Sequence, residues 1–210
     1  MRFVGLNLTV PHKLLALDLV DVLDESARVW GAVNTIRFEA RDDAGRWQPL
    51  PLLPEAVSGP VRSHGFNTDA EGLARALRED LGLDLRGLRV VLLGAGGAGR
   101  VAALKLAAEG AAGLFLVNRT RAKAEAIAAE IHERYPGVET VVGYPGMGTA
   151  VDLLLNATSL GLKAGDAAPW NEREFSLSRV RWVYDMIYRP AETSWLAGGL
   201  PTFTQADFAG

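Results

Sequence analysis

An apolar strand that runs straight into a glycine-rich turn, with a helix opening behind it, leaves a chain few folds to choose from. Residues 90–99, VVLLGAGGAG, have that form. Gly94, Ala95, Gly96, Gly97, Ala98 and Gly99 fit G-x-G-x-x-G, which is weak in isolation but specific between a strand and a helix. Gly94 would permit the tight turn, Gly96 a close backbone approach to a pyrophosphate, and Gly99 close packing of helix on strand. The alternative is a structural turn with no ligand. The surrounding rhythm favours the ligand. "RVVLLGAG", "GLFLVN", "VETVVG", "DLLLNAT" and "RWVYDMIY" read as strands, and "GAGRVAALKLAAEG" and "RAKAEAIAAEIHERY" as helices. Apolar strands alternating with helices indicate a parallel sheet covered on both faces.

The end of the second strand of such a unit usually carries an acid for the ribose hydroxyls of NAD. Here it carries Asn118, Arg119 and Thr120, then Arg121 and Lys123. A guanidinium can fork onto the extra 2′-phosphate of NADP. A solvated helix start is the plainer explanation, but cations at a helix amino terminus are mildly unfavourable. A bound anion explains them better, so NADP is expected over NAD.

The 210 residues suit one large domain or two small ones, and with 49% of them apolar a sizeable core is within reach. The net charge of −3 is spread in both signs, which gives no electrostatic case for nucleic acid or an anionic membrane. Without cysteine there is no disulfide, thiol catalysis or zinc–thiolate site, and His12, His64 and His132 lack ligand spacing, so no metal is expected. No apolar run is long enough to span a bilayer, and the amino terminus lacks the layout of a signal peptide. A cytoplasmic protein is the default, of unspecified oligomeric state.

Ahead of the glycine loop, residues 3–8 and 31–40 read as strands, 11–23 and 68–80 as amphipathic helices. Leu14, Leu15, Leu17 and Leu19 are among the apolar positions of the first helix. Residues 41–63 carry four prolines and two glycines and read as a loop. Lys13 falls in the first turn of its helix, with Pro11 at a favoured early position, where the helix dipole opposes a cation by ~0.3–1 kcal/mol. Asp69 follows Thr68, and Thr68 and Glu71 have capping-box spacing. A surface lysine and an ordinary first-turn acid account for each residue singly. Their company points elsewhere: Asn7, Thr9, Asn34, Thr35, Asn67 and Thr68 are placed at the ends of apolar strands, where α/β sheets bind ligands. Such a set suits a small polyhydroxylated substrate.

"GLNLTVPHK", "GAVNT", "GFNTDAEG", "LLGAGGAGR", "VNRT", "LLLNATSLGL" and "VYDMIYRP" occur in this order over residues 5–190. Each motif is short; seven in order closely resemble the shikimate dehydrogenases. The resemblance implies NADP-dependent reduction of 3-dehydroshikimate to shikimate in aromatic amino-acid biosynthesis. It makes Lys13 and Asp69 the catalytic pair, and Thr9, Asn34, Asp69 and Tyr188 substrate ligands. It makes Gly94–Gly99, Asn118, Arg119, Thr120, Lys123 and Met186 the cofactor site.

The expected fold is a Rossmann-like doubly wound parallel sheet at 71–210, preceded by a partial α/β substrate-binding domain at 1–70. Partial, because family members begin with a strand–helix–strand segment whose serine-rich motif grips the substrate carboxylate. They also continue past the Y-x-P region into helices carrying a substrate-contacting glutamine, a role not transferred to Gln205. The 41–63 stretch is longer than the family's hairpin. Two further readings stay open: an inactive remnant that holds NADP without turnover, and a quinate-using relative.

Overall fold

A computed structural model describes residues 3–9, 11–163, 165–190, 192–197 and 203–205. The chain divides into two compact units, Met1–Ala70 and Glu71–Gly210.

The first unit contains β1 (Gly5–Asn7), α1 (His12–Leu15), β2 (Val22–Leu23), α2 (Glu25–Trp30), β3 (Thr35–Arg41), β4 (Trp47–Pro49), a 3-10 turn (Leu50–Leu52) and β5 (Val61–Phe66). Its sheet has the order β1-β3-β5-β2, with β4 also paired to β3. β1, β4 and β5 each run antiparallel to β3, while β2 runs parallel to β5.

The helix expected over 11–23 is one turn long. Only Ala16 in that stretch is buried, and Leu14, Leu15 and Leu19 are exposed, so no continuous apolar stripe faces a core. Further on, the Asp21 carboxylate accepts the N–H (2.7 Å) and hydroxyl (2.7 Å) of Ser63. That clamp draws the chain out beside β5 and makes 22–23 a strand. A helix not expected, α2, follows directly. Asp24 caps its start, accepting the Ser26 N–H at 2.9 Å, and Gly31 ends it in the left-handed region at φ 62°. The supposed loop 41–63 holds β4, the 3-10 turn and the start of β5. Asp42 shapes the β3–β4 hairpin by accepting the N–H groups of Ala44 and Arg46.

Helix α3 (Asp69–Leu81) leads into the second unit, with β6 (Arg89–Leu93), α4 (Gly97–Ala108), β7 (Gly113–Val117), α5 (Arg121–Arg134), β8 (Glu139–Val142), β9 (Val151–Asn156), a 3-10 turn (Leu177–Arg179), β10 (Val180–Asp185) and β11 (Phe203–Gln205). The sheet order is β11-β10-β9-β6-β7-β8, and every pair is parallel. With β6 counted as the first strand of this unit, the sheet read from β8 to β11 has the order 3-2-1-4-5-6, the Rossmann order, whose direction of winding switches between β6 and β9. Residues 90–93, 114–116 and 153–155 are all buried, as a sheet packed on both faces requires. One face gathers Val91, Leu93, Phe115, Leu154, Phe175 and Trp195. No helix among the described residues is long and apolar enough to cross a membrane.

Candidate functional site

In the first unit the polar residues share one sheet edge, for a reason the sequence did not show. Asn34 and Thr35 stand at the start of β3, not at a strand end. Because β3 is antiparallel to its neighbours, Thr35 lies opposite Asn7 at the end of β1 and Phe66 at the end of β5. Asn34 is nearly buried and its amide is fully engaged. Its Nδ2 donates to Thr68 Oγ1 (2.9 Å) and Asp69 Oδ1 (2.7 Å); its Oδ1 accepts the Thr68 N–H (3.0 Å) and the Thr35 hydroxyl (3.1 Å). Four hydrogen bonds leave Asn34 one orientation.

Lys13 Nζ reaches the other Asp69 oxygen, Oδ2, at 2.7 Å, and both side chains remain partly open to solvent, at 19% and 26%. The main chain holds α1 to the same edge: Val33 N–H donates to the Lys13 carbonyl at 2.9 Å. Helix α1 is a single turn with Pro11 just before it, so its dipole is small and Pro11 does not occupy the first helical position. The counter-charge of Asp69 accounts for Lys13 better than helix electrostatics do. Thr9 lies exposed in the β1–α1 connection, its carbonyl accepting the His12 N–H at 2.9 Å.

The capping box at α3 does not form. Thr68 is taken by Asn34, and Glu71 pairs with Lys105. Asn67 caps instead, its Oδ1 accepting the N–H groups of Asp69 (3.1 Å) and Ala70 (3.3 Å) while its Nδ2 donates to the Ala32 carbonyl (3.0 Å). Asparagine before a helix is itself a capping signal. It is the residue that sets the position of Asp69.

The second unit offers a backbone cradle. Gly94 has φ 103°, and a Cβ there would stand 2.8 Å from the Ala157 carbonyl oxygen. A Cβ on Gly99 would lie 2.0 Å from the Gly94 carbonyl oxygen, so α4 approaches the strand end as only glycine allows. Above Gly96 and Gly97 there is nothing within 4 Å, which is space a Cβ would fill and a phosphate could enter. Gly96 caps α4 without a side chain, leaving the first N–H groups of a twelve-residue helix to an anion. Asn118 ties this loop to the next strand: its Oδ1 accepts the Ala95 N–H (3.0 Å) and its Nδ2 donates to the Thr120 carbonyl (2.8 Å). Helix α5 has no acid in its first turn and no side-chain cap from Thr120. Arg121 is engaged by Glu125 at 2.8 Å, while Arg119 and Lys123 are exposed without an ion pair among the described residues. These features fit a dinucleotide with an additional phosphate.

Met186, half-buried, follows β10 directly, its N–H donating to the Asn156 carbonyl at 3.0 Å; Tyr188 is exposed two residues later. Asn156 and Asp185, both fully buried, were not singled out from the sequence. A polar residue closing each of two adjacent apolar strands was the available signal. Among the described residues no group of His, Cys, Asp and Glu could hold a metal ion.

Two family descriptions match the chain: "Shikimate dehydrogenase substrate binding domain" over residues 1–36 and "Shikimate / quinate 5-dehydrogenase" over residues 75–161. The NADP(+) shikimate dehydrogenase of Methanopyrus kandleri is 36% identical over 198 residues, covering 92% of this chain and 61% of that protein. The shikimate 5-dehydrogenase of Thermus thermophilus, solved with NADP(H) and shikimate, is 35% identical with a TM-score of 0.63, covering 90% of this chain and 60% of that one. The Ael1 enzyme of Pseudomonas putida is 31% identical with a TM-score of 0.70, covering 96% and 67%. The chain thus spans about three-fifths of the length of the curated relatives it matches. With both units matched and the glycine cradle in place, the chain belongs to the shikimate dehydrogenase family.

Proposed function

We propose that the chain carries the NADP-dependent, reversible reduction of 3-dehydroshikimate to shikimate. The observation that carries this reading is the Lys13–Asp69–Asn34 contact set, in a chain that also has a dinucleotide cradle. Residues 1–70 act as the substrate-binding part and 71–210 as the cofactor-binding part. NADPH supplies the hydride. Gly94–Gly99 would hold its pyrophosphate; Asn118, Arg119, Thr120 and Lys123 its adenosine phosphate end; Met186 would stand near the nicotinamide.

Reduction of a ketone builds negative charge on the carbonyl oxygen, and that oxygen must be stabilised and protonated. Lys13 has three N–H donors and one of them is taken by Asp69. A second can reach the developing oxyanion and deliver its proton. Asp69, held at Oδ1 by Asn34 and at Oδ2 by Lys13, keeps spare lone pairs for a substrate hydroxyl. It therefore aims the lysine and anchors the substrate together. Thr9 would add a further hydroxyl contact, while Asn34, its amide already engaged, acts by holding Asp69 and Thr35 in place. A cytoplasmic setting goes with this reading, since the reductant would come from the soluble nucleotide pool.

Exposed Arg119 and Lys123, with no acid at the end of β7, favour NADP and shikimate over the quinate branch that the second family description also names. The test is absorbance of reduced nicotinamide after mixing the chain with shikimate and NADP, and separately with quinate and NAD. The expected result is turnover with the first pair. Measurable NADP binding with no turnover of either pair would identify a binding remnant and overturn the enzymatic reading.

A further inference from the structure

Strands β6, β9 and β10 end side by side, with Leu93 opposite Asn156 and Asn156 opposite Asp185. Leu93 is the last residue before the glycine turn, and Met186 is the first after β10. Between them Asn156 and Asp185 have no solvent exposure. Asp185 Oδ1 accepts Asn156 Nδ2 at 3.0 Å and the Ile187 N–H at 3.0 Å, while Oδ2 accepts the Thr193 hydroxyl at 3.0 Å. Asn156 in turn accepts the Thr158 N–H (3.0 Å) and hydroxyl (2.8 Å), and its carbonyl takes the Met186 N–H. The Ala157 N–H bonds the Leu93 carbonyl at 2.8 Å, and Ala157 lies where Gly94 could not carry a Cβ. One buried carboxylate is thereby joined by side chain and main chain to both banks of the switch point.

A carboxylate is an unusual choice for that place. Burial pushes the Asp185 carboxyl up, against the hydrogen bonds from Ile187, Thr193 and Asn156, and no cation pairs with it among the described residues. An apolar residue would pack there without that burden, so the acceptor oxygens have a use.

We propose that Asp185 is a positioning residue: acting through Asn156 and Thr193, it sets residues 186–190 and Thr193 against the glycine loop, and so fixes the nicotinamide end of the cofactor site. This rests on the NADP reading given above. The adenosine end, at Asn118 and Arg119, belongs to β7 on the far side of β6 and does not depend on Asp185.

The experiment is calorimetric titration of the chain with NADP and with 2′-phospho-ADP-ribose, which lacks the nicotinamide. In Asp185→Ala, binding of 2′-phospho-ADP-ribose stays within about twofold of wild type, while NADP weakens by about five- to tenfold, the scale of one or two lost buried hydrogen bonds. Thr193→Val, a milder change, shows the same selective loss at smaller size, and Asp185→Asn, which keeps an acceptor for Asn156 and Ile187, restores most of the affinity. These two variants decide the matter if Asp185→Ala does not fold. Equal loss for both ligands, no loss for either, or a wild type that binds both equally overturns the positioning role. A wild type that binds neither ligand overturns the NADP reading itself, a distinct result.

Discussion

In the first unit the groups offered to a ligand are side chains held by other side chains: Lys13 on Asp69, Asp69 on Asn34, Asn34 on Thr68 and Thr35. In the second they are main-chain N–H groups, held by the absence of side chains at Gly94, Gly96, Gly97 and Gly99. The difference predicts different failures. Truncating a side chain in the first site removes one function and leaves the sheet edge standing. Adding a single carbon to the second, at Gly94 or Gly99, deforms the strand–helix junction on which the sheet is built.

The largest effect is expected where that junction is tightest. Gly99→Ala drives a Cβ into the Gly94 carbonyl, which is backbone and cannot swing aside. It should destabilise the chain by about 3 kcal/mol or more in thermal unfolding, as overpacking does at its upper end, and abolish NADP binding. Gly97→Ala meets nothing within 4 Å, so it should leave stability nearly unchanged and weaken NADP binding alone. Equal stability losses at the two positions would remove the distinction between cradle and junction.

Among the described residues each unit also buries one carboxylate, Glu39 and Asp185, and the two should respond to pH in opposite senses. Burial raises the Glu39 carboxyl, but hydrogen bonds from Arg37, Arg62 and His64 prevail and bring it to about 2. Its stabilisation is therefore complete above the unfolded value of 4.5 and is lost as pH falls toward 2. Asp185 is raised by burial, so its contribution is complete below 3.8 and is lost as pH rises from there through its folded value. Melting temperatures against pH should show Glu39→Gln losing most stability relative to wild type near neutral pH and least in acid. Asp185→Asn should fare better against wild type at neutral pH than in acid. Parallel curves for the two variants would mean that their surroundings do not differ as described.

The smallest effect concerns cofactor choice. Arg119→Ala should lower NADP affinity by about tenfold, the loss of a charge-assisted contact, and leave NAD affinity unchanged. Titration with both nucleotides reads it directly, and an equal loss for both would detach Arg119 from the 2′-phosphate.

The same contrast governs what could be read in advance. The second unit was legible because its signals are local: buried strands announce themselves as apolar runs, and the glycine spacing lies within six residues. The first unit is built from long-range pairs. Asp21 with Ser63 turned an expected helix into β2, and the antiparallel pairing of β3 brought Asn34 to the edge from a strand start. Helix α2 had both caps in view, Asp24 and Gly31, yet no apolar stripe long enough to mark it. Lys13 and Asp69, 56 positions apart, each look ordinary alone; only the resemblance joined them before the 2.7 Å contact did. Asp185 was passed over because an acid closing a strand says nothing by itself of three acceptor bonds.

On the proposed function, Lys13 acts on the reacting oxygen while other residues hold the cofactor. Lys13→Ala should lower kcat for shikimate oxidation by about 10²–10⁴, the range for loss of a positioned proton donor, with NADP affinity and substrate affinity changed little. A variant that keeps the wild-type kcat would remove Lys13 from the chemical step.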